Sequence, residues 1–517
     1  MPKKILFLSA EVAPYVTVGG LSQVMYFLPR ALNKRGLDVR LFTPKYGVTR
    51  LKLGNNGRKI KLHQEAMGME VPVDGKDEGT LICNVLSARA GKNDAFVYFL
   101  ENQEYYELRE NVFGYSDDHT RFALLAKGCL EWLLFQHQKT KREDDDVWFP
   151  EVIHCHDWHT SYFIEMARKD RRYSSMLKDV AVVLTVHNFK YQGVKDFKYA
   201  KEEDKDWGEA PLASIKSDKL KTQNALLRGL LYADLVTTVS PTHAVEVLTP
   251  EYSEGLLDVL TKVRGKLSGI LNGLDISEFN PTSDPVIKKH YSANTHLKAH
   301  AINKLDLQRE FQLPKDPDIP VFGYVGRLSS QKGLELVLEI LPRILEERDD
   351  MQFVFLGSGD EQYRKELNRL KEIYPDNIGL FLYSDFRLPR KIFAGSDMVL
   401  MPSMFEPGGI VALEALRFGA VPIVRETGGL SDTIQHFDPE TGEGNGFSFR
   451  QRSAWALYGV IIEALTLYHQ PKVWQKLVRN AMMSVVTWDD AAEEYDDWYK
   501  RAVTERRRYL KMKARGV

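Results

Sequence analysis

Two cationic side chains, Arg327 and Lys332, lie five residues apart in the stretch GRLSSQKGL. An apolar run typical of a buried strand precedes them, so we expect both on the loop and first helical turn after that strand. A guanidinium and an ammonium placed in this way can converge on one diphosphate. The alternative is that the arginine is merely exposed and the lysine caps a helix.

Three pairs of adjacent glycines stand where helices are predicted to begin, at residues 19–20, 408–409 and 428–429. Glycine lets a backbone approach a ligand closely, and the first N–H groups of a helix attract anions. Before the second pair, Pro407 fixes the path of the chain into the helix. Three such helix starts indicate a ligand rich in negatively charged oxygens.

An acid, Glu406, lies just before the second glycine pair. Its carboxylate could accept a hydrogen bond from a hydroxyl of a sugar or of ribose beside the phosphates. The alternative is a first-turn acid favoured by the helix dipole. Glu414 follows eight residues later, which predicts a position two helical turns further along a similar face.

The stretch HCHDWH offers imidazole nitrogens at His154, His156 and His159. Zinc is disfavoured, because His154 and His156 share one face of a strand whereas His159 lies beyond its end. The sequence also has no second cluster with metal-ligand spacing. We instead predict a polar network in which Asp157 and His159 orient sugar hydroxyls, and no metal site.

The elements that must position these residues alternate between strand and helix along the chain. A first series runs from the strand at 4–10 to the strand at 233–241, and a second from 320–328 to 421–429. This alternation predicts an α/β protein with two doubly wound parallel sheets. A polar stretch between the two series places the linker near residues 275–305.

Ligands of open α/β sheets bind beyond the carboxyl ends of the strands. The candidate residues follow strands in both series, and His187 with Asn188 follows the apolar run VAVVLTV in the same way. The sequence therefore predicts two rims of functional residues that face each other across a central cleft and enclose one substrate. No G-x-G-x-x-G spacing follows the first strand, so a nicotinamide cofactor is not supported.

The composition is that of an ordinary folded protein, and 517 residues are too many for one hydrophobic core. Lysine and arginine (70) nearly balance aspartate and glutamate (71), which disfavours nucleic-acid and membrane partners. Three separated cysteines and the lack of a signal or membrane-spanning run indicate a cytoplasmic protein. The charged stretches at 141–146 and 506–517 are predicted to be solvated rather than to bind a partner.

Several motifs occur in one order over nearly the whole chain: TVGGLSQVMYFLPRAL, HCHDWHTSYF, LTVHNFKYQGV, GKLSGILNGLDISEFNP, GYVGRLSSQKGLEL and PSMFEPGGIVALEALRFGAVPIVRETGGLSDTI. With them the sequence resembles bacterial glycogen synthases and plant starch synthases, which are glycosyltransferases of GT-B fold. The resemblance implies a retaining transfer of glucose from ADP-glucose, or UDP-glucose in some relatives, to the non-reducing end of an α-1,4-glucan. It implies no bound metal and no cofactor besides the nucleotide sugar as co-substrate.

The resemblance also implies three segments of the chain. Residues 1–280 would form an N-terminal Rossmann-like domain on the acceptor side, and residues 281–485 a C-terminal Rossmann-like domain that binds the nucleotide-sugar donor. Residues 486–517 would form a helix that packs back on the N-terminal domain. The oligomeric state is left open.

By the same resemblance, six residues of the N-terminal domain would contact the diphosphate or the sugar: Gly19, Gly20, Asp157, His159, His187 and Asn188. The carbonyl or ring of His187 would lie close to the anomeric carbon.

In the C-terminal domain, Arg327 and Lys332 would neutralise the leaving phosphate. Glu406 would bind sugar hydroxyls and help to stabilise an oxocarbenium-like state. Further substrate contacts would come from the nucleobase partner Tyr383 and from the helix start at Gly408, Gly409 and Ile410.

Two departures from the family pattern bear on function. Thr17 occupies the position of the lysine in the family's K-x-G-G-L motif, and Gly408 that of a cysteine. Glu414 completes an E-x7-E spacing typical of the wider GT4-like enzymes, in which the second glutamate binds ribose. Two alternatives therefore stay open: a retaining glycosyltransferase with another nucleotide sugar or acceptor, and a non-catalytic glucan-binding relative.

Overall fold

The computed structural model of the protein describes residues 3–53, 58–73, 79–140, 147–385 and 387–515. The chain divides into two compact units. The first consists of Met1–Val239, Ala244–Ile270 and Trp488–Val517, and the second of Ser240–His243 and Leu271–Thr487. The charged stretch at 141–146, predicted to be solvated, lies outside the described residues.

The strands of the described residues are, in chain order, β1 (Lys4–Leu8), β2 (Asp38–Pro44), β3 (Lys52–Leu53), β4 (Arg58–Lys59), β5 (His63–Pro72), β6 (Thr80–Ala88), β7 (Phe96–Glu101), β8 (Val152–His156), β9 (Ala181–Val186), β10 (Leu235–Thr238), β11 (Leu267–Gly269), β12 (Val321–Val325), β13 (Gln352–Leu356), β14 (Ile378–Phe381), β15 (Met398–Met401), β16 (Val421–Arg425) and β17 (Phe447–Phe449).

The α-helices of the same residues are α1 (Gly20–Lys34), α2 (Asp118–Thr140), α3 (Trp158–Lys169), α4 (Arg171–Ser174), α5 (Ala225–Tyr232), α6 (Pro241–Glu246), α7 (Leu257–Val263), α8 (His296–Glu310), α9 (Leu334–Glu347), α10 (Glu361–Ile373), α11 (Leu388–Gly395), α12 (Ile410–Phe418), α13 (Gly428–Thr433), α14 (Ala454–Tyr468), α15 (Pro471–Met483) and α16 (Trp488–Ala514).

The first unit is built on a sheet whose described strands follow the order β11-β10-β9-β8-β1-β2-β7-β6-β5. Its strands from β11 to β7 pair in parallel. Strands β8 and β9 are buried along their whole length, as expected for apolar runs covered by helices on both faces. This part of the sheet confirms the predicted parallel α/β architecture.

The other edge of this sheet differs from the prediction, because β5, β6 and β7 pair antiparallel. The sequence analysis did not identify β5 or β6. Strand β5 lies at the edge, and most of its side chains are exposed or only partly buried, so it lacks the apolar run on which the strand predictions relied. The first sheet is therefore mixed rather than wholly parallel.

The second unit contains a sheet of order β14-β13-β12-β15-β16-β17, and all its described strands pair in parallel. Helices α9, α11 and α12 each bury one apolar face, as amphipathic helices that cover a sheet do. The predicted second parallel sheet is confirmed.

The polar stretch near 275–305, interpreted as a linker, ends within helix α8. This helix was not recognised because polar side chains supply part of its buried face. Lys304 lies 2.8 Å from Asp397, and Gln308 donates to the side chain of Gln352 at 2.9 Å. Hydrogen bonds satisfy these buried polar groups. The helix therefore lacks the apolar periodicity from which helices are predicted.

Helix α16 packs against α1 and against β8 and β9 of the first unit. Residues 507–515, predicted to be solvated, are exposed apart from the partly buried Leu510, and Arg506 is the exception to that prediction. Arg506 is buried, and its Nε donates to the carbonyl of Lys178 at 2.8 Å.

Along the described chain no helix combines the length and apolarity needed to cross a membrane. The three cysteines are buried and unpaired.

Candidate functional site

The carboxyl ends of three neighbouring strands in the first unit gather the candidate residues. In the order β9-β8-β1, His187 follows β9, Asp157 follows β8 and Glu11 follows β1. Because parallel strands end at one edge of a sheet, these side chains share one rim. The prediction did not include Glu11, although its position just after an apolar strand is the signal that identified the others.

Glu11 holds the loop that carries the first glycine pair. Its Oε2 accepts hydrogen bonds from the N–H of Val18 at 2.7 Å and of Gly19 at 3.0 Å. Burial raises the pKa of the Glu11 carboxyl, the two N–H donors lower it, and the charge of Asp157 raises it further. The N–H of Gly19 is thus already engaged by Glu11.

Gly20 begins helix α1 and has open space beside its Cα, since an added Cβ would meet no atom of the described residues within 4 Å. Thr17, half-buried, lies three residues earlier at the start of the same loop. The loop therefore brings the open backbone of Gly20 and the neutral side chain of Thr17 to the rim. The carboxylate of Glu11 fixes the path of this loop.

Asp157 has an unusual backbone, with φ 59° and ψ −178° at the residue before helix α3. Such a φ is strained for a residue other than glycine. Its Oδ1 accepts from the N–H of His187 at 2.7 Å, and the N–H of Asn188 also contributes. Burial raises the pKa of Asp157 to about 7 despite these donors, so its carboxyl titrates near neutral pH and its protonated form can donate a hydrogen bond.

His187 and His156 form a neutral pair. Nδ1 of His156 lies 3.1 Å from Nε2 of His187. Burial lowers the pKa of His187 to about 3, and burial with two neighbouring imidazoles holds that of His156 well below its ordinary value. His154 contacts the hydroxyls of Tyr499 and Thr185 instead. Among the described residues no group of three potential metal ligands occurs.

His159 packs among aromatic rings. Its ring lies 4.3 Å from that of Trp158 and 4.6 Å from that of Phe122, centroid to centroid. Burial lowers the pKa of His159 to about 3. Asn188 accepts from the N–H of Lys190 at 3.0 Å through its Oδ1, which leaves its amide N–H groups to donate elsewhere.

In the second unit, Lys332 and Glu406 form an ion pair. Lys332 follows β12 and Glu406 follows β15, which are neighbouring parallel strands. The hydroxyl of Ser403 donates to the same Glu406 oxygen at 3.0 Å. Both charged side chains are mostly buried, so each fixes the rotamer of the other. The alternative roles considered from the sequence, a lysine that caps a helix and a first-turn acid, do not describe this contact.

Arg327 lies on the same loop but is exposed, and its guanidinium reaches the side-chain oxygen of Gln331 at 3.4 Å. The backbone of Gln331 accepts from the N–H of Met404 at 2.8 Å, which ties this loop to the one that carries Glu406. Buried Arg425 supports the second loop, because its Nε donates to the carbonyl of Ser403 at 2.7 Å. The prediction did not include Arg425, whose place at the end of strand β16 was the available signal.

The second glycine pair forms the start of helix α12. Gly409 is the N-cap with φ 63°, a left-handed backbone that favours glycine, and Ile410 is the first helical residue. Gly408 is half-buried directly before them. The first N–H groups of α12 therefore follow Glu406 closely in sequence and lie on the rim of the sheet that carries its ion pair with Lys332.

The third glycine pair is not an open anion site as predicted. The N–H of Gly429 donates to the carbonyls of Glu406 and Pro407 at 3.0 and 3.1 Å. A Cβ at Gly428, where φ is +46°, would lie 2.3 Å from the Glu406 carbonyl oxygen. These glycines let two loops of the rim pack closely, and that contact holds Glu406 in place.

Two further predicted residues lie on the second unit. Burial raises the pKa of Glu414 to about 7, and Arg390 lowers it only in part. Glu414 lies in α12 whereas Glu406 precedes the helix, so the predicted relation of two helical turns is wrong. Tyr383 is half-exposed, with its ring edge-on to that of Phe381.

Comparisons with known proteins agree with this architecture. The family model of the starch synthase catalytic domain matches residues 4–262, and that of glycosyl transferases group 1 matches residues 307–481. Glycogen synthase of Clostridium novyi (strain NT) is 38% identical, with 95% of this chain and 97% of the relative covered. Glycogen synthase of Lactobacillus acidophilus is 36% identical, with 96% and 99% covered.

A solved structure, the catalytic domain of starch synthase IV from Arabidopsis thaliana bound to ADP and acarbose, matches with a TM-score of 0.82 and 28% identity. The match covers 98% of this chain and 100% of that one. Sucrose-phosphate synthase from Thermosynechococcus elongatus shares the fold, with a TM-score of 0.54 and 19% identity over 96% and 98% of the chains. The chain therefore belongs to the glycogen and starch synthase family of glucosyltransferases of GT-B fold.

Proposed function

We propose that this glucosyltransferase transfers glucose from ADP-glucose to the non-reducing end of an α-1,4-glucan, with retention at the anomeric carbon. The observation that carries the proposal is the Lys332 and Glu406 ion pair at the start of helix α12. Support also comes from the solved starch synthase IV structure, which is bound to ADP and acarbose. Acarbose is an oligosaccharide analogue, so that structure suggests both substrate classes.

In the second unit we assign the donor phosphates to Lys332, Arg327 and the first N–H groups of α12. Charge develops on the leaving phosphate during transfer, and donors fixed in advance stabilise it. Lys332 is held in advance by Glu406, whose own carboxylate is held by Ser403. Glu406 then binds hydroxyls of the glucose and favours the positive charge that develops at the anomeric carbon.

Two further contacts in this unit would bind the nucleoside. Glu414 is assigned to the ribose hydroxyls, and the half-exposed ring of Tyr383 to the nucleobase. Gly408 and Ile410 complete the helix start against the phosphates. The reaction so described uses charged side chains and N–H groups, and we propose that it needs neither a metal nor a cofactor.

In the first unit we assign sugar hydroxyls to Asp157, His159, His187 and Asn188. The raised pKa of Asp157 lets its carboxyl act as donor and acceptor near neutral pH, which suits a hydroxyl that does both. His187 is neutral, since burial lowers its pKa to about 3, so it offers a neutral imidazole rather than a charge. Gly20 leaves room for the donor beside α1.

A cytoplasmic location stays a prediction.

A different nucleotide sugar is the second candidate, and Thr17 is the observation that favours it. This residue presents a neutral side chain on the loop held by Glu11, where the family pattern has a lysine. A donor with a different base or sugar would present different chemical groups to the side chain at position 17.

One assay separates the two candidates. Radiolabelled ADP-glucose and UDP-glucose are each incubated with the protein and glycogen, and label in precipitated glucan is counted. We expect incorporation from ADP-glucose at a clearly higher kcat/KM than from UDP-glucose. Incorporation from UDP-glucose alone supports the second candidate, and binding of glucan without nucleotide release contradicts both.

A further inference from the structure

A cationic pocket lies in the first unit, at the end of the sheet opposite the carboxyl ends of its parallel strands. The pocket has a volume of about 770 Å³ and is lined by the segment before β10, the residues before β11 and the last turns of α16. These are the amino ends of parallel strands, whereas Asp157 and His187 follow carboxyl ends. The length of the strands, roughly 13–20 Å for four to six residues, separates the two sites.

The lining carries a surplus of positive charge. Its cations are Arg168, Lys178, Lys266, Arg501, Arg506, Arg508 and Lys513, and its carboxylates are Asp234 and Glu505. The whole chain has a formal net charge of −1, so this local surplus is not a reflection of composition. A concave surface with one sign of charge concentrates ions of the opposite sign.

The floor of the pocket holds two guanidiniums around one carboxylate. Asp234 lies 2.6 Å from Arg168 and 3.6 Å from Arg506, and the side chains of both arginines are only 9% exposed. The Nε of Arg168 is buried and has no hydrogen-bond partner in the described structure. One carboxylate therefore compensates two largely desolvated cations, and a further anion would be favoured there.

Lys266 adds a third cation to this floor. Its ammonium donates to the carbonyls of Leu231 and Ala233 at 3.0 and 2.5 Å. Burial lowers the pKa of Lys266 to about 8, Asp234 raises it and the charge of Arg168 lowers it. The two carbonyls are neutral and do not cancel the charge of the protonated ammonium, and one of its three N–H groups is left for a ligand.

The rim of the pocket is also cationic, because Arg501, Arg508 and Lys513 of α16 line it. Arg501 donates to the carbonyl of Gly265 at 3.2 Å, and Arg508 lies 3.9 Å from Glu505. These contacts are long and exposed, so they constrain the side chains little. The rim can reorganise around an anion that enters.

We propose that this pocket binds a small phosphate ester, at a site separate from the one assigned to the donor. Guanidiniums and ammoniums are the groups that recognise phosphate oxygens, and Tyr232 and Tyr509 also line the pocket. A pocket of this volume suits a metabolite-sized ligand. An extended polyanion would instead need a long basic groove.

The test uses isothermal titration with two probes, inorganic pyrophosphate and ribose 5-phosphate. The full-length chain carries Arg327→Ala and Lys332→Ala throughout, so that the cations assigned to the donor contribute no binding. In this background we expect one saturable site for each probe. Adding Arg508→Glu and Lys513→Glu should weaken both by about tenfold or more, because attraction becomes repulsion at the rim.

The matched control is Arg507→Glu with Lys511→Glu, two exposed residues of the same helix that do not line the pocket. It changes the net charge equally and should leave both affinities within about twofold. Circular dichroism confirms that each variant is folded. The pocket substitutions made in the otherwise unaltered chain should retain transfer activity.

Three results would overturn the proposal. They are the lack of saturable binding, equal weakening by the pocket and control pairs, and binding of heparin that neither probe displaces. The last would identify the surface as a site for a polyanion. None of these results depends on which donor the enzyme uses, so failure of the proposed function leaves this test unaffected.

Discussion

At the scale of single residues, Lys332 is the cation assigned to the leaving phosphate, and its ammonium pairs with Glu406. We predict that Lys332→Ala lowers kcat/KM by at least about a hundredfold, the roughly 2.7 kcal/mol lost with a donor to a developing charge. Steady-state kinetics with labelled donor and glycogen measure it. Lys365→Ala, an exposed lysine on α10, is the control and should leave turnover unchanged. Unchanged turnover in Lys332→Ala would count against the phosphate assignment.

At Thr17 a substitution can be tested that should maintain or raise the catalytic activity. Glu11 fixes the backbone after this residue, so a longer side chain can be added without moving the loop. We predict that Thr17→Lys gives equal activity, or higher by up to about tenfold, since a hydrogen bond to a charged group contributes about 1.5 kcal/mol or more. Thr17→Met supplies similar length without charge and should give no gain. A large loss in Thr17→Lys would show that the site has been rebuilt around threonine.

Asp157 predicts a pH dependence of stability. Its folded pKa of about 7 lies above the ordinary aspartate value of 3.8, so the folded state binds the proton more tightly between these two pH values. Its contribution to the free energy of unfolding is therefore present at low pH and is lost as the pH rises towards 7.

We predict that Asp157→Asn removes this loss, because an amide oxygen still accepts from the N–H of His187 but cannot ionise. The variant should be stabilised relative to the unaltered protein by about 1–3 kcal/mol more at pH 8 than at pH 5. Urea unfolding at both pH values gives the difference. A difference that does not change with pH would contradict the burial of this carboxyl.

At the scale of elements, the glycine pairs of the rim fall into two kinds that the sequence does not distinguish. Gly20 has open space beside it, whereas Gly428 has φ +46° and lies against the Glu406 carbonyl. We predict that Gly428→Ala destabilises the protein by about 1–3 kcal/mol and lowers activity, since the loop with Glu406 must shift.

Gly20→Ala is the matched comparison. It should leave the thermal unfolding midpoint nearly unchanged and raise KM for the donor, because the new methyl group enters space assigned to the substrate. Equal destabilisation by the two substitutions would contradict the distinction between packing and binding glycines.

The elements that were predicted correctly are those with continuous apolar runs. Strands β8, β9 and β13 are wholly buried, and hydropathy alone identifies them. Edge strand β5 and helix α8 were missed because exposed or hydrogen-bonded polar residues replace the apolar pattern. Glu11 follows a strand and Arg425 ends one, as expected of rim residues, but both hold loop backbone, which spacing does not reveal.

At the scale of the whole molecule, the sequence was sufficient for the α/β class, the GT-B fold and the family, because many motifs agree in one order. It was not sufficient for Arg506 of α16, which is buried and donates to the carbonyl of Lys178 while the residues after it are mostly exposed. Charge along a sequence does not tell which side chains a fold desolvates. The roles of the site residues in transfer stay predictions from geometry and resemblance.

We infer that the second unit binds the donor diphosphate at Lys332, Arg327 and the start of α12. A crystal structure of the protein with ADP tests it most directly. The account predicts phosphate oxygens within hydrogen-bond distance of the Lys332 ammonium and of the N–H groups of Gly409 or Ile410. ADP bound with its phosphates away from the carboxyl ends of β12 and β15 would contradict it.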